Sequence, residues 1–201
     1  MRRPVAVAIT GGIGAGKSEM LRAFERHGAA VVSSDEIVHR LLREDAEVKA
    51  AIVGRFGERV LGEDGEIDRG RVAEIVFSDR GELAWLEGLL HPRVSAEYLR
   101  WREELARLPD PPAVCVTEVP LLYEVGSERY FDTVVAVTAS PEVRISRTIR
   151  PLPDREQRLI PDDEKLARAD FAYVNDGTLE ELDDFVSGVV AEIRRRAANL
   201  S

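Results

Sequence analysis

Lysine is scarce in this chain. Of its 28 basic residues only Lys17, Lys49 and Lys165 are lysine, and the rest are arginine. Cysteine is scarcer still. The single Cys115 excludes an internal disulfide, and its place in the apolar run Ala113-Val114-Cys115-Val116 reads as core rather than as a catalytic thiol. No apolar run approaches the length needed to cross a bilayer. Met1-Arg2-Arg3-Pro4 leads straight into apolar sequence without a signal-peptide pattern, which predicts a cytoplasmic protein. Positive charge is in deficit: the formal net charge of -9 argues against a general nucleic-acid binder, although a local basic pocket for phosphates stays compatible with it. Internal repeats and low-complexity tails are also missing. What remains is an ordinary globular composition over 201 residues, enough for one domain or for one domain with a sizeable insertion.

Against that background one stretch stands out. Gly11-Gly12-Ile13-Gly14-Ala15-Gly16-Lys17-Ser18 matches the phosphate-loop pattern G-x-x-x-x-G-K-[ST] in full. The apolar run Val5–Ile9 before it reads as a buried strand. After it, Met20, Leu21, Ala23 and Phe24 alternate with Glu19, Arg22, Glu25 and Arg26 at helical spacing. The residue types supply the chemistry. Glycines let backbone N–H groups turn inward, and the helix that starts here points its positive end at the same place. Lys17 adds a full charge for the terminal phosphates, and the Ser18 hydroxyl can ligate Mg2+. Gly12, Ile13, Gly14, Ala15, Gly16, Lys17 and Ser18 therefore form the predicted nucleotide cradle. In a chain that otherwise prefers arginine, a lysine at this position suggests that a compact ammonium is needed.

Further along, the pattern predicts strands near 4–9, 29–32, 113–116, 133–137 and 172–174. Between them run helices over 17–27, from Asp35 onward, over 142–150, 162–170 and 178–196. Alternating buried strands and helices predict an α/β fold, a five-stranded parallel doubly wound sheet, with ligands beyond the carboxyl ends of the strands. Residues 46–112 differ. They carry helical patterns but no convincing buried strand, with a turn at Glu63-Asp64-Gly65-Glu66 and a closing run Pro109-Asp110-Pro111-Pro112. The expected organisation is a nucleotide-binding core over 1–45 and 113–201, with a short lid at about 147–160. A helical substrate-binding insertion occupies 46–112.

A phosphate loop alone does not separate kinases from GTPases or motor ATPases. The base-reading pattern N-K-x-D of GTPases is missing, and Asn175 is followed by aspartate. Further stretches narrow the choice: Val32-Ser-Ser-Asp35, Phe77-Ser-Asp79, Leu90-His-Pro-Arg93, Val119-Pro-Leu-Leu-Tyr-Glu-Val-Gly126, Lys165-Leu-Ala-Arg-Ala-Asp170 and Asn175-Asp-Gly177. Together with Thr10–Ser18 they resemble the dephospho-coenzyme A kinase family along nearly the full length. The resemblance implies ATP-dependent phosphorylation of the ribose 3′-hydroxyl of dephospho-coenzyme A, with ATP and Mg2+ as cofactors. It also implies a nucleotide-binding core, a helical substrate domain and a mobile lid. Other readings are a different small-molecule kinase on the same scaffold, or a nucleotide-binding regulator without catalysis. The partner is the small-molecule substrate, on a monomer or small homo-oligomer, without nucleic acid or membrane.

Site roles follow partly from the same resemblance and partly from the residues themselves. Asp35 matches the second aspartate after strand two, a base or orienter for the attacking hydroxyl, and an anionic carboxylate suits an in-line phosphoryl transfer. It can equally cap the helix that follows. Ser33 stands where the family has its first aspartate. Glu118 either holds Mg2+ through water or is a solvated strand-end charge. Arg147 matches an arginine that contacts ATP, with Arg144 and Arg150 on the same helix face. Asn175 matches a position close to the adenine and can also be a turn residue. Glu124 positions substrate or pairs with an arginine. Arg69 and Arg93 are candidates for the substrate pyrophosphate, and His91-Pro92 begins or kinks a helix. The lid departs from the family: Arg150-Pro151-Leu152-Pro153-Asp154-Arg155 is shortened and stiffened by two prolines, and Leu159 replaces a glutamine. Position 19 is Glu in place of the usual threonine.

Overall fold

Strand β1 (Val5–Thr10) is apolar on both faces and almost wholly buried, as a central parallel strand must be. β2 (Ala30–Ser33), β3 (Val114–Glu118), β4 (Thr133–Thr138) and β5 (Phe171–Val174) complete an all-parallel sheet in the order β2-β3-β1-β4-β5. The structure is a computed structural model that describes residues 3–147 and 160–199. The expected short lid, with Arg150, Pro151, Pro153, Arg155 and Leu159, lies outside the described residues.

The side-chain period of two sorts the sheet into faces. Val7, Ile9, Val114, Val116, Val135 and Val137 meet α1 (Lys17–Arg26) and the closing helix α8 (Leu179–Asn199) in one core. Helix α8 contributes Leu182, Val186, Val189, Val190 and Ile193, spaced for one helical stripe. On the other face Ala8 and Val134 pack with Val119, Leu122 and Tyr123. Cys115 is buried inside β3, and desolvation pushes its thiol up to about 11, so it is an inert core residue. Helices α6 (Pro141–Arg147) and α7 (Asp162–Arg168) flank β4 and β5 in sequence. Pro141 occupies the first helical position of α6, where its missing N–H costs nothing.

The chain divides into two compact units: 1–33 with 101–201, and Ser34–Arg100. This boundary differs from the 46–112 read from the sequence. The second unit takes in α2 (Ser34–Glu44) because Val38 and Leu42 join a core with Val48, Ile52 and Phe56 of α3 (Ala46–Phe56). α4 (Arg69–Ser78) and α5 (Arg80–Ala106) complete it. Trp85 meets Phe56 edge-on at 5.3 Å, and Arg55 lies over the same indole. Asp45, Asp68 and Asp79 each accept two N–H groups at the start of a helix, so three aspartates punctuate this unit. Pro92 neither begins a helix nor ends one; α5 runs through it. The far end of α5 belongs to the sheet unit, where Arg102 donates to the Tyr130 carbonyl and covers the Phe131 ring.

Candidate active site at the phosphate loop

The loop between β1 and α1 needs its glycines for distinct reasons. Gly11 has φ +148°, and a Cβ there would collide with the Val137 carbonyl oxygen of β4. Gly16, left-handed at φ +94°, opens α1 and lies under the Asn175 side chain, which a Cβ would strike. Lys17 and Ser18 are thereby the first two residues of α1, at its positive end. The Lys17 ammonium donates to the Gly12 carbonyl at 2.8 Å.

Two further loop carbonyls accept side-chain donors from distant parts of the sheet unit. Arg144 of α6 donates through Nε to the Ile13 carbonyl at 2.8 Å. The Asn175 amide, at the end of β5, donates to the Ala15 carbonyl at 2.9 Å. Asn175 is only 4% exposed, and its own N–H bonds the Thr138 carbonyl. Its side chain thus holds the loop, which neither the turn reading nor the adenine reading anticipated. Arg147 is exposed and donates to the Asn175 carbonyl at 3.0 Å.

The carboxylates divide into those at the loop and those elsewhere. Glu118, the last residue of β3, sits level with Ile9 and is 5% exposed, so it is not a solvated strand-end charge. Its Oε1 lies 3.5 Å from the Ser18 hydroxyl. Two oxygen donors at this spacing have the hard character that Mg2+ prefers. Asp162 approaches Gly12 and is bound by the Thr138 hydroxyl at 2.6 Å and by Arg144 at 3.3 Å. Glu124 pairs with Lys165 at 2.7 Å rather than with an arginine, and accepts the Ile160 N–H with the same oxygen. Lys165 is 1% exposed and also reaches the Pro120 carbonyl.

Asp35 belongs to the helical unit, where it is exposed in the first turn of α2, two residues past the end of β2. Because α2 begins at Ser34, Asp35 lies inside the helix rather than at its cap. In the same unit Arg69 donates to His39 Nδ1 at 2.9 Å, and Arg93 donates to the Leu89 carbonyl with Glu47 beside it. His91 is half-buried within α5, and desolvation lowers its pKa, favouring the neutral ring.

Sequence reasoning missed Asp162, Thr138 and the partnership of Lys165 with Glu124. Lys165 carried a signal, as one of three lysines in an arginine-rich chain, and Glu124 was already a candidate for an ion pair. Asp162 and Thr138 carry none, since each is an ordinary helix-start or strand-end residue until the fold brings them together.

Known proteins resemble this chain along most of its length. The sequence model of the CoaE (dephospho-CoA kinase) family matches residues 5–181. A dephospho-CoA kinase of Streptomyces avermitilis is 41% identical over 199 residues, spanning 95% of each chain. Among solved structures, a Thermus thermophilus protein superposes with a TM-score of 0.75 at 34% identity, covering 94% of this chain and 98% of its own. The dephospho-CoA kinase of Campylobacter jejuni gives 0.70 at 26% identity, over 94% and 97%. The chain belongs to the dephospho-CoA kinase family.

Proposed function

We propose that this protein transfers the γ-phosphoryl group of ATP to the ribose 3′-hydroxyl of dephospho-coenzyme A, completing coenzyme A. The observation that carries the reading is the loop itself: Gly11 and Gly16 in conformations and contacts that exclude a side chain, with Lys17 and Ser18 opening α1. Such a loop offers inward N–H groups and a helix terminus to a triphosphate.

The roles follow from the groups at hand. Gly12 to Ser18 bind the phosphates, and Lys17 exchanges the Gly12 carbonyl for the terminal phosphate oxygens. As the 3′-oxygen bonds to the γ-phosphorus, the Asp35 carboxylate takes the hydroxyl proton, and the bond to the ADP oxygen breaks. Support for Asp35 lies in its exposed carboxylate in the first turn of α2, two residues after β2 along the chain. Arg147, exposed beside Asn175, adds charge for the nucleotide. Ser18 and Glu118 would hold Mg2+, which neutralises phosphate charge when bound. The helical unit takes the dephospho-coenzyme A, with Arg69 and Arg93 as candidates for its pyrophosphate.

No helix among the described residues is long and apolar enough to cross a membrane. We place the enzyme in the cytoplasm, as a monomer or small homo-oligomer acting without nucleic acid. The deciding experiment incubates purified protein with Mg-ATP and a panel of alcohol and nucleotide acceptors, scored by product mass. Phosphorylated dephospho-coenzyme A is the expected product. Transfer only to another acceptor, or nucleotide binding without any product, overturns the proposal.

A further inference from the structure

We infer that Arg144 and Asp162 act as a positioning pair that sets the shape of the phosphate loop, rather than as ligands of the nucleotide. Neither lies in the loop motif, and they come from two helices, α6 and α7. A phosphate cradle works only if its N–H groups point inward, which forces the intervening carbonyls outward, where each needs a donor. Here the Ile13 carbonyl receives the Arg144 Nε–H at 2.8 Å. The guanidinium is in turn tied to Asp162 at 3.3 Å, and Asp162 is anchored by the Thr138 hydroxyl at 2.6 Å.

Two features separate this arrangement from a chance surface ion pair. Both side chains are about one-fifth exposed, at 21% and 22%, so the pair is mostly shielded from water. The Asp162 carboxylate also fills the space over Gly12: a Cβ on that glycine would lie 2.8 Å from one carboxylate oxygen and 2.9 Å from the other. The loop at Gly12 is therefore shaped against the pair. Asn175 performs the parallel task at the Ala15 carbonyl, with Gly16 shaped against it. The loop is held from outside at two carbonyls, by residues that follow β4 and β5.

The two roles predict opposite signs for one substitution. If Arg144 bound phosphate directly, Asp162 would compete for it, and Asp162→Asn would tighten nucleotide binding by freeing a cation and removing a negative charge. As a brace, Asp162→Asn loosens Arg144 and weakens binding. The inference rests on the nucleotide reading of the loop, and its test needs no acceptor. ADP and inorganic pyrophosphate, without metal, are titrated calorimetrically into the full chain and into Asp162→Asn, Arg144→Met, Arg144→Lys and the double variant Arg144→Met/Asp162→Asn.

The expected result is about tenfold weaker binding of both probes for Arg144→Met, the scale of one lost charge-assisted hydrogen bond. A similar loss is expected for Asp162→Asn, with partial rescue by Arg144→Lys. The double variant should be no worse than Arg144→Met alone, because the two act as one unit. Unliganded melting temperatures within about 4 °C of the parent show that the fold is retained. Unchanged or tighter ADP binding by Asp162→Asn overturns the inference, and so do losses that add in the double variant. Failure to phosphorylate dephospho-coenzyme A leaves this test standing. A parent chain with no affinity for ADP removes the nucleotide reading as well.

Discussion

Replacing Glu124 by alanine strands the ammonium of Lys165. That lysine is 1% exposed, on the short helix α7, where it pairs with the Glu124 carboxylate at 2.7 Å and donates to the Pro120 carbonyl at 3.4 Å. The Pro120 oxygen is shared with the Thr10 hydroxyl, so it cannot compensate fully. Glu124 Oε1 also accepts the Ile160 N–H, which the substitution leaves without that acceptor. Removing one partner of a buried ion pair costs about 3–5 kcal/mol, whereas exchanging both for apolar groups of similar size is often neutral or stabilising. For a chain of this length, that loss lowers the melting temperature by roughly 6–20 °C. Urea and thermal unfolding followed by circular dichroism at neutral pH read it directly. Glu124→Ala should fall in that range, and Glu124→Leu/Lys165→Met should recover most of it. A single variant within about 1 kcal/mol of the parent, or a double variant no better than the single, would refute the argument from the buried charge.

Four further outcomes are expected. Asp35→Asn should keep ATP affinity by calorimetry while turnover falls at least about a hundredfold, the usual scale of a general base, and Lys17→Ala should abolish transfer; normal turnover by Asp35→Asn removes the base assignment. Gly11→Ala should cost about 2 kcal/mol or more of unfolding free energy together with nucleotide binding, because its methyl meets the Val137 carbonyl at a backbone angle that side chains avoid. Cys115, protonated because burial raises its thiol to about 11, should resist a thiol reagent at pH 8 in the native state and react fully in denaturant; native labelling at the denatured rate would contradict its burial.

Local pattern carried a good part of the architecture. The strands around Val7, Val116 and Val135 are apolar on both faces, and that alone marks central parallel strands. The helix of Met20, Leu21, Ala23 and Phe24 was equally plain from its spacing. The boundary of the helical unit was less legible. Helix α2 follows β2 directly and reads as part of the core, yet Val38 and Leu42 pack with α3. Packing partners are a property of neighbours in space, and periodicity reports only which face is apolar. Glu118 shows the same limit: a carboxylate at a strand end is usually solvated, and only the sheet buries this one beside Ser18.

The phosphate loop was legible without any fold, because that device is contiguous: eight consecutive residues hold the required backbone angles, the ammonium and the hydroxyl. Tertiary structure alone decided what holds the loop in place. Arg144, Asp162 and Asn175 lie more than a hundred residues further along and meet it only because the strand order sets β4 beside β1 and β5 beside β4. Hydrogen bonds form between groups adjacent in space, and for segments so far apart in the chain, adjacency is fixed by sheet topology rather than by any local preference.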